Sequence, residues 1–91
     1  MFYAISYDIR DDRRRLKVAK TLQDFGQRVQ LSVFEARLES SELARLKKRL
    51  SPILDQDQDS VRLYPLCAAC LTGVEILGQG LVTQEPDFII I

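Results

Sequence analysis

The chain opens on a nearly unbroken apolar run, Phe2, Tyr3, Ala4, Ile5, Tyr7 and Ile9, interrupted only by Ser6 and Asp8. So short a run without helical spacing predicts a strand buried on both faces, with a carboxylate at its end. Asp11 or Asp12 is suited to accept hydrogen bonds from a first helical turn. Leu16, Val18, Ala19, Leu22 and Phe25 then recur at helical spacing, and Gly26 predicts a left-handed stop. Period two returns with Val29 and Leu31, then Val33, Phe34, Ala36 and Leu38, which predicts a short strand over 28–30 and a longer one over 32–38, joined by a tight turn or bulge. Ser40 or Ser41 predicts the N-cap of a second helix with the stripe Leu43, Leu46, Leu50 and Ile53, ended or bent at Pro52. After a polar, acidic stretch at 55–59, a fourth strand is expected over 60–66, with Pro65 marking its end or an exposed edge.

This order, βαββαβ, predicts an α+β plait in which two helices cover one face of an antiparallel sheet. The other face then needs a cover, and a second copy of the chain is the economical one. Beyond a turn at 67–73, residues 74–78 are expected as an additional C-terminal strand. Gly78-Gln79-Gly80 then forms a hinge, and the apolar end at 86–91 is expected to add to a partner's edge. Residues 1–78 are thus expected to form the domain and 79–91 a docking tail.

Composition alters this picture little. Ninety-one residues, 46% hydrophobic and 29% charged, suit one globular domain near the size at which self-association helps. No run is long enough for a membrane helix, and the start lacks a leader-like pattern, so a cytoplasmic protein without a membrane partner is expected.

Charge changes more. The formal net charge is zero. Yet residues 10–20 hold six basic and two acidic side chains, whereas 55–59 hold three Asp and no base, so a basic end and an acidic end are expected. Positive charge at a helix start opposes the macrodipole, which is easier to understand if an anion sits there. Two readings of Asp8 stand: it caps or turns the chain, or it holds a metal ion beside a phosphate-binding basic cluster, as in a nuclease. The chain lacks His and Asn, which removes the usual general base and a frequent amide ligand.

Other candidates have plainer readings. Asp11 and Asp12 suit capping better than metal ligation. Tyr7 and Phe34 suit the core better than base stacking, and Arg28 serves either a phosphate or a solvated edge. Cys67-Ala68-Ala69-Cys70 offers half a zinc site, or a redox pair without a thioredoxin context; two buried thiols is the favoured reading.

Three segments together carry a resemblance: Tyr7-Asp8-Ile9 with the following Asp-Asp-Arg-Arg-Arg-Leu, Val29 through Glu35, and Asp59 through Cys67. In order and spacing they closely resemble the small CRISPR-associated endonuclease family, the non-integrase subunit of the spacer-acquisition complex, over residues 1 to about 78. The resemblance implies a ferredoxin-like homodimer in which two copies of Asp8 face each other, and metal-dependent cleavage of RNA or DNA with Mg²⁺ or another divalent cation at Asp8. It also implies a duplex-DNA scaffold beside a CRISPR integrase subunit, with Arg13, Arg14, Arg15 and Arg28 as nucleic-acid contacts. Ala36 stands where the family often has Gly. A scaffold without chemistry and a toxin-like ribonuclease of the same fold remain open, whereas acylphosphatase chemistry would require the missing Asn.

Overall fold

A computed structural model describes residues 1–82. Strand β1 (Phe2–Asp8) leads into helix α1 (Asp12–Gln23), then β2 (Gln27–Gln30), β3 (Val33–Arg37), α2 (Ser40–Leu50), β4 (Ser60–Leu66) and a short helix α3 (Ala68–Thr72). The sheet order is β2-β3-β1-β4, and each neighbouring pair is antiparallel. This is the expected plait, with β1 and β3 central and β4 an edge on which Pro65 is tolerated.

Alternation along the strands separates the two faces of the sheet. Ile5 and Tyr7 of β1 and Phe34 and Ala36 of β3 pack with Val18, Ala19 and Leu22 of α1 and Leu46 and Leu50 of α2. Phe34, Ile5, Leu22, Leu46 and Val18 are completely enclosed, each contributing roughly 1.5–3 kcal/mol by leaving water. The opposite face carries Ala4, Ser6 and Asp8 of β1, paired with Glu35 and Val33 of β3 and with Tyr64, Arg62 and Ser60 of β4. At its far end Phe2 is buried beneath Arg37, whose guanidinium lies 5.3 Å from the ring centre.

Several local expectations are corrected. Leu16 is 60% exposed and stands off the core, although it shares the helical spacing. Helix α1 ends at Gln23 with Asp24 as its cap, and Gly26 does not adopt positive φ. Gly26 is instead needed for close approach: a Cβ there would lie 2.2 Å from the Glu35 carbonyl oxygen and 2.7 Å from the Ala36 Cβ. The N-cap of α2 is Glu39, whose N–H donates to the Glu42 carboxylate at 2.9 Å, so Ser40 and Ser41 already lie within the helix.

The additional strand expected over 74–78 is absent: that segment is irregular, and Gly78 and Gly80 hold φ of 97° and 138°. A strand needs a neighbouring ladder, and α3 carries the chain away from β4. Ile76 and Leu81 instead line a cleft with Gln27, Gln30 and Glu35 at the β2 side of the sheet. The docking strand expected at 86–91 lies outside the described residues. Among the described residues no helix is long and apolar enough to cross a membrane.

Candidate active site

Asp8 ends β1, in register with Ser60 of β4. It is exposed, and among the described residues no basic side chain pairs with it within 4.0 Å. Its backbone is nevertheless rigid, because β1 lies between β3 and β4 and the next residue, Ile9, is buried in the core. A fixed strand therefore holds a free carboxylate in solvent, an arrangement that capping alone does not require. Capping of α1 falls to Asp11, whose side chain accepts the Arg14 N–H at 2.9 Å, while Asp12 pairs with Arg15.

Asp8 also stands at the rim of a cleft of about 440 Å³ formed with Tyr7, Arg15, Leu16, Arg28 and Leu31. Tyr7 shapes this cleft. Its hydroxyl donates to the Leu31 carbonyl at 3.0 Å and accepts from the Arg28 guanidinium at 3.3 Å. The Tyr7 N–H donates to the Ser32 carbonyl at 3.1 Å, so the β2–β3 turn is tied to β1 beside Asp8. Tyr7 and Phe34 are core residues, as expected, and the Arg28 guanidinium lies 5.3 Å from the Phe34 ring centre.

The basic cluster divides. Arg14 donates to both oxygens of Asp59, at 2.7 and 3.3 Å, and the Asp59 side chain is completely buried. Asp59 also accepts the Asp55 N–H at 2.9 Å. The hydrogen bond from Arg14, and secondarily that from Asp55, hold the Asp59 carboxyl below the usual aspartate range despite desolvation. The Asp59 hydrogen bond likewise raises the Arg14 guanidinium above its ordinary value. The expectation of separate basic and acidic ends is thereby corrected: the two stretches meet, and one anion near the start of α1 is the chain's own Asp59.

Arg15 donates to the carbonyls of Ile9 and Arg10 at 3.1 and 3.2 Å, bracing the connection after β1. Of the four arginines anticipated as nucleic-acid contacts, Arg14, Arg15 and Arg28 are thus engaged within the chain. Arg13 is exposed and makes no ion pair among the described residues.

Sequence reasoning missed Arg62. It pairs with Ser6, two residues along β1 from Asp8 on the same face of the sheet. Its guanidinium is raised above its ordinary value chiefly by hydrogen bonding to Tyr64 and, to a smaller extent, by the field of Asp8. Alternation along β4 carried the signal, since Ser60, Arg62 and Tyr64 alternate with Val61 and Leu63. The cysteines are corrected as well: both thiols are exposed rather than buried.

The chain is similar to known proteins in sequence and in fold. Residues 1–74 match the family described as CRISPR associated protein Cas2. The chain is 48% identical to a CRISPR-associated endoribonuclease Cas2 of Synechocystis sp. over 98% of its own length and 97% of the relative's. Its structure resembles the crystal structure of Streptococcus pyogenes Cas2 with a TM-score of 0.76 at 38% identity, covering 86% of this chain and 100% of that one. A chain from a partial Cas6-RT-Cas1–Cas2 complex aligns with a TM-score of 0.78 at 26% identity, covering 99% and 98%. With a family match spanning most of the sequence and near-full-length similarity to a Cas2 protein, the chain belongs to the CRISPR-associated Cas2 family.

Proposed function

We propose that this protein is a CRISPR adaptation nuclease working in the cytoplasm as a two-fold homodimer. It cleaves phosphodiester bonds of RNA or DNA with a divalent cation held between two copies of Asp8, and it offers a basic surface to duplex DNA beside an integrase subunit. The observation that carries this reading is Asp8 itself: exposed, without an ion pair among the described residues, and fixed at the end of a central strand.

Among the described residues of one chain, no three His, Cys, Asp or Glu side chains gather where an ion would bind. One carboxylate holds a cation poorly. Two related by a two-fold axis provide hard oxygen donors suited to Mg²⁺, with water and phosphate oxygens completing six-coordination. Such an ion, when bound, supplies Lewis acidity and a more acidic water, chemistry that a chain without His otherwise lacks. The two Asp8 carboxylates would meet if the second copy covers the open face carrying Ala4, Ser6 and Val33. Arg62, near Asp8 on that face, favours an approaching phosphate, while Arg15 and Arg28 lend positive potential to the adjoining cleft. In the same reading, the segment 79–91 docks on a partner edge.

The test compares parent and Asp8→Ala in Mg²⁺ and in chelator, with sedimentation confirming the dimer. Cleavage should fall at least ~100-fold in the variant and in chelator, while the dimer persists. Equal cleavage by parent and variant would remove the catalytic assignment. The similarity to a chain solved in a Cas1–Cas2 complex favours a second reading, a scaffold without chemistry. That reading requires Asp8→Ala to retain both DNA binding and spacer acquisition.

A further inference from the structure

The cleft beside Asp8 has apolar walls that neither the core nor the basic cluster explains. Leu16 of α1 and Leu31 of the β2–β3 turn both line it, and they are 60% and 85% exposed. Exposed leucines scattered singly are ordinary. Two that converge on one cleft, together with a carboxylate and two guanidinium groups, mark a place where a flat, partly polar group can bind.

The cleft opens on the helix side of the sheet. Tyr7 and Ala19, its buried lining residues, belong to the core beneath α1, and Arg28 is in register with the core residue Phe34. The face of Ala4, Ser6 and Val33, assigned above to a second copy, is the opposite one, so a dimer built there does not close the cleft. Arg28 is oriented by the Tyr7 hydroxyl at 3.3 Å and by the Phe34 ring, and it makes no ion pair among the described residues. Its other N–H groups are donors suited to acceptor atoms on a base or its phosphate. A volume of about 440 Å³ admits one heterocycle but not a duplex, whose bases stay stacked inside.

We propose that this cleft receives one unpaired nucleobase of the strand whose phosphate lies at Asp8. Leu16 and Leu31 contact the two faces of the ring, and Arg28 donates to its edge or its phosphate. The inference deepens the nuclease reading and rests on it for the position of the scissile phosphate. The strand that is cut is therefore single at this position, whereas paired DNA reaches the protein through its phosphates alone.

Fluorescence anisotropy in chelator tests the cleft without metal or cleavage. The parent should bind labelled oligothymidylate at least ~5-fold more tightly than an abasic strand of equal length and charge. Leu16→Ser and Leu31→Ser, exposed positions whose substitution changes stability little, should bring that ratio below about twofold and leave affinity for duplex DNA unchanged. Leu77→Ser, exposed but outside the cleft, should keep the parent's ratio. Equal binding of the two strands by the parent, a ratio that survives both cleft substitutions, an equal loss in Leu77→Ser, or a matching loss of duplex affinity would each overturn the proposal. Failure of Asp8 as the catalytic residue would leave these affinities unchanged, so the two readings fail separately.

Discussion

Two aspartates occupy the same end of neighbouring strands and meet opposite fates. Asp8 closes β1 and Asp59 immediately precedes β4, where Ser60 pairs with Asp8. The Asp59 side chain is completely buried, held by Arg14 and bonded to the Asp55 N–H. Asp8 is exposed and has no ion-pair partner among the described residues. A buried carboxylate must be neutralised and hydrogen-bonded, so its charge is spent on the fold. The exposed one, held equally firmly by the backbone, keeps its charge available to a cation or a partner. Burial and pairing, rather than residue type or position in the sheet, separate the structural acid from the candidate catalytic one.

The strongest way to break this contrast is to exchange the expected phenotypes. Asp8→Ala should cost at least ~100-fold in metal-dependent cleavage while the thermal midpoint stays within about 2 °C of the parent, because a surface substitution away from packing changes stability little. A large fall in the midpoint with cleavage retained would make Asp8 the structural acid. Arg14→Met should do the opposite. It preserves the apolar stem but strands Asp59 without its cation, so the midpoint should fall by roughly 10 °C while cleavage per folded molecule stays within about twofold. Circular dichroism melts and a cleavage assay on the same preparations decide both.

A smaller effect separates the engaged from the exposed arginines. Arg13→Ala should weaken duplex DNA binding severalfold at about 0.1 M salt and lower the slope of log affinity against log salt by ~0.9 for each phosphate it ceases to neutralise. Arg14→Met should leave that slope unchanged. A reduced slope in Arg14→Met with none in Arg13→Ala would mean that Arg14 leaves Asp59 to meet the phosphate.

The limits of sequence reading follow the same division. Apolar periodicity placed β1, both long helices and β4, because packing against the core requires those spacings. It misjudged Leu16, which keeps the spacing but lies beyond the cover of the sheet. The helical spacing predicts a left-handed stop at Gly26, whereas the structure requires glycine there for close approach, and no local pattern reveals that Glu35 and Ala36 lie against its Cα. Residues 74–78 have the composition of a strand, yet strand formation depends on an available edge, a property of the assembled sheet. At the candidate site, a carboxylate interrupting an apolar run makes the exposed position of Asp8 at the strand end legible. The engagement of Arg14 was hidden because Asp59 lies 45 residues away in sequence. Charge runs reveal which residues are ionic but not which of them neutralise one another.

Acid provides the finest test. The folded-state pKa of Asp59 is depressed, first by the Arg14 hydrogen bond and then by the Asp55 N–H. For a carboxylate shifted downward, the folded state binds its proton less readily than the unfolded chain. Its stabilisation is therefore present in full above the ordinary aspartate value of 3.8 and is lost as pH falls through the lower folded value. Asp59→Asn should melt below the parent by a constant interval at neutral and mildly acidic pH, and the interval should shrink by a few degrees once pH falls below about 4. An interval for Asp59→Asn that stays constant to the acid limit would mean that ionisation of Asp59 contributes nothing to folding, and the contrast between the two acids would then rest on exposure alone.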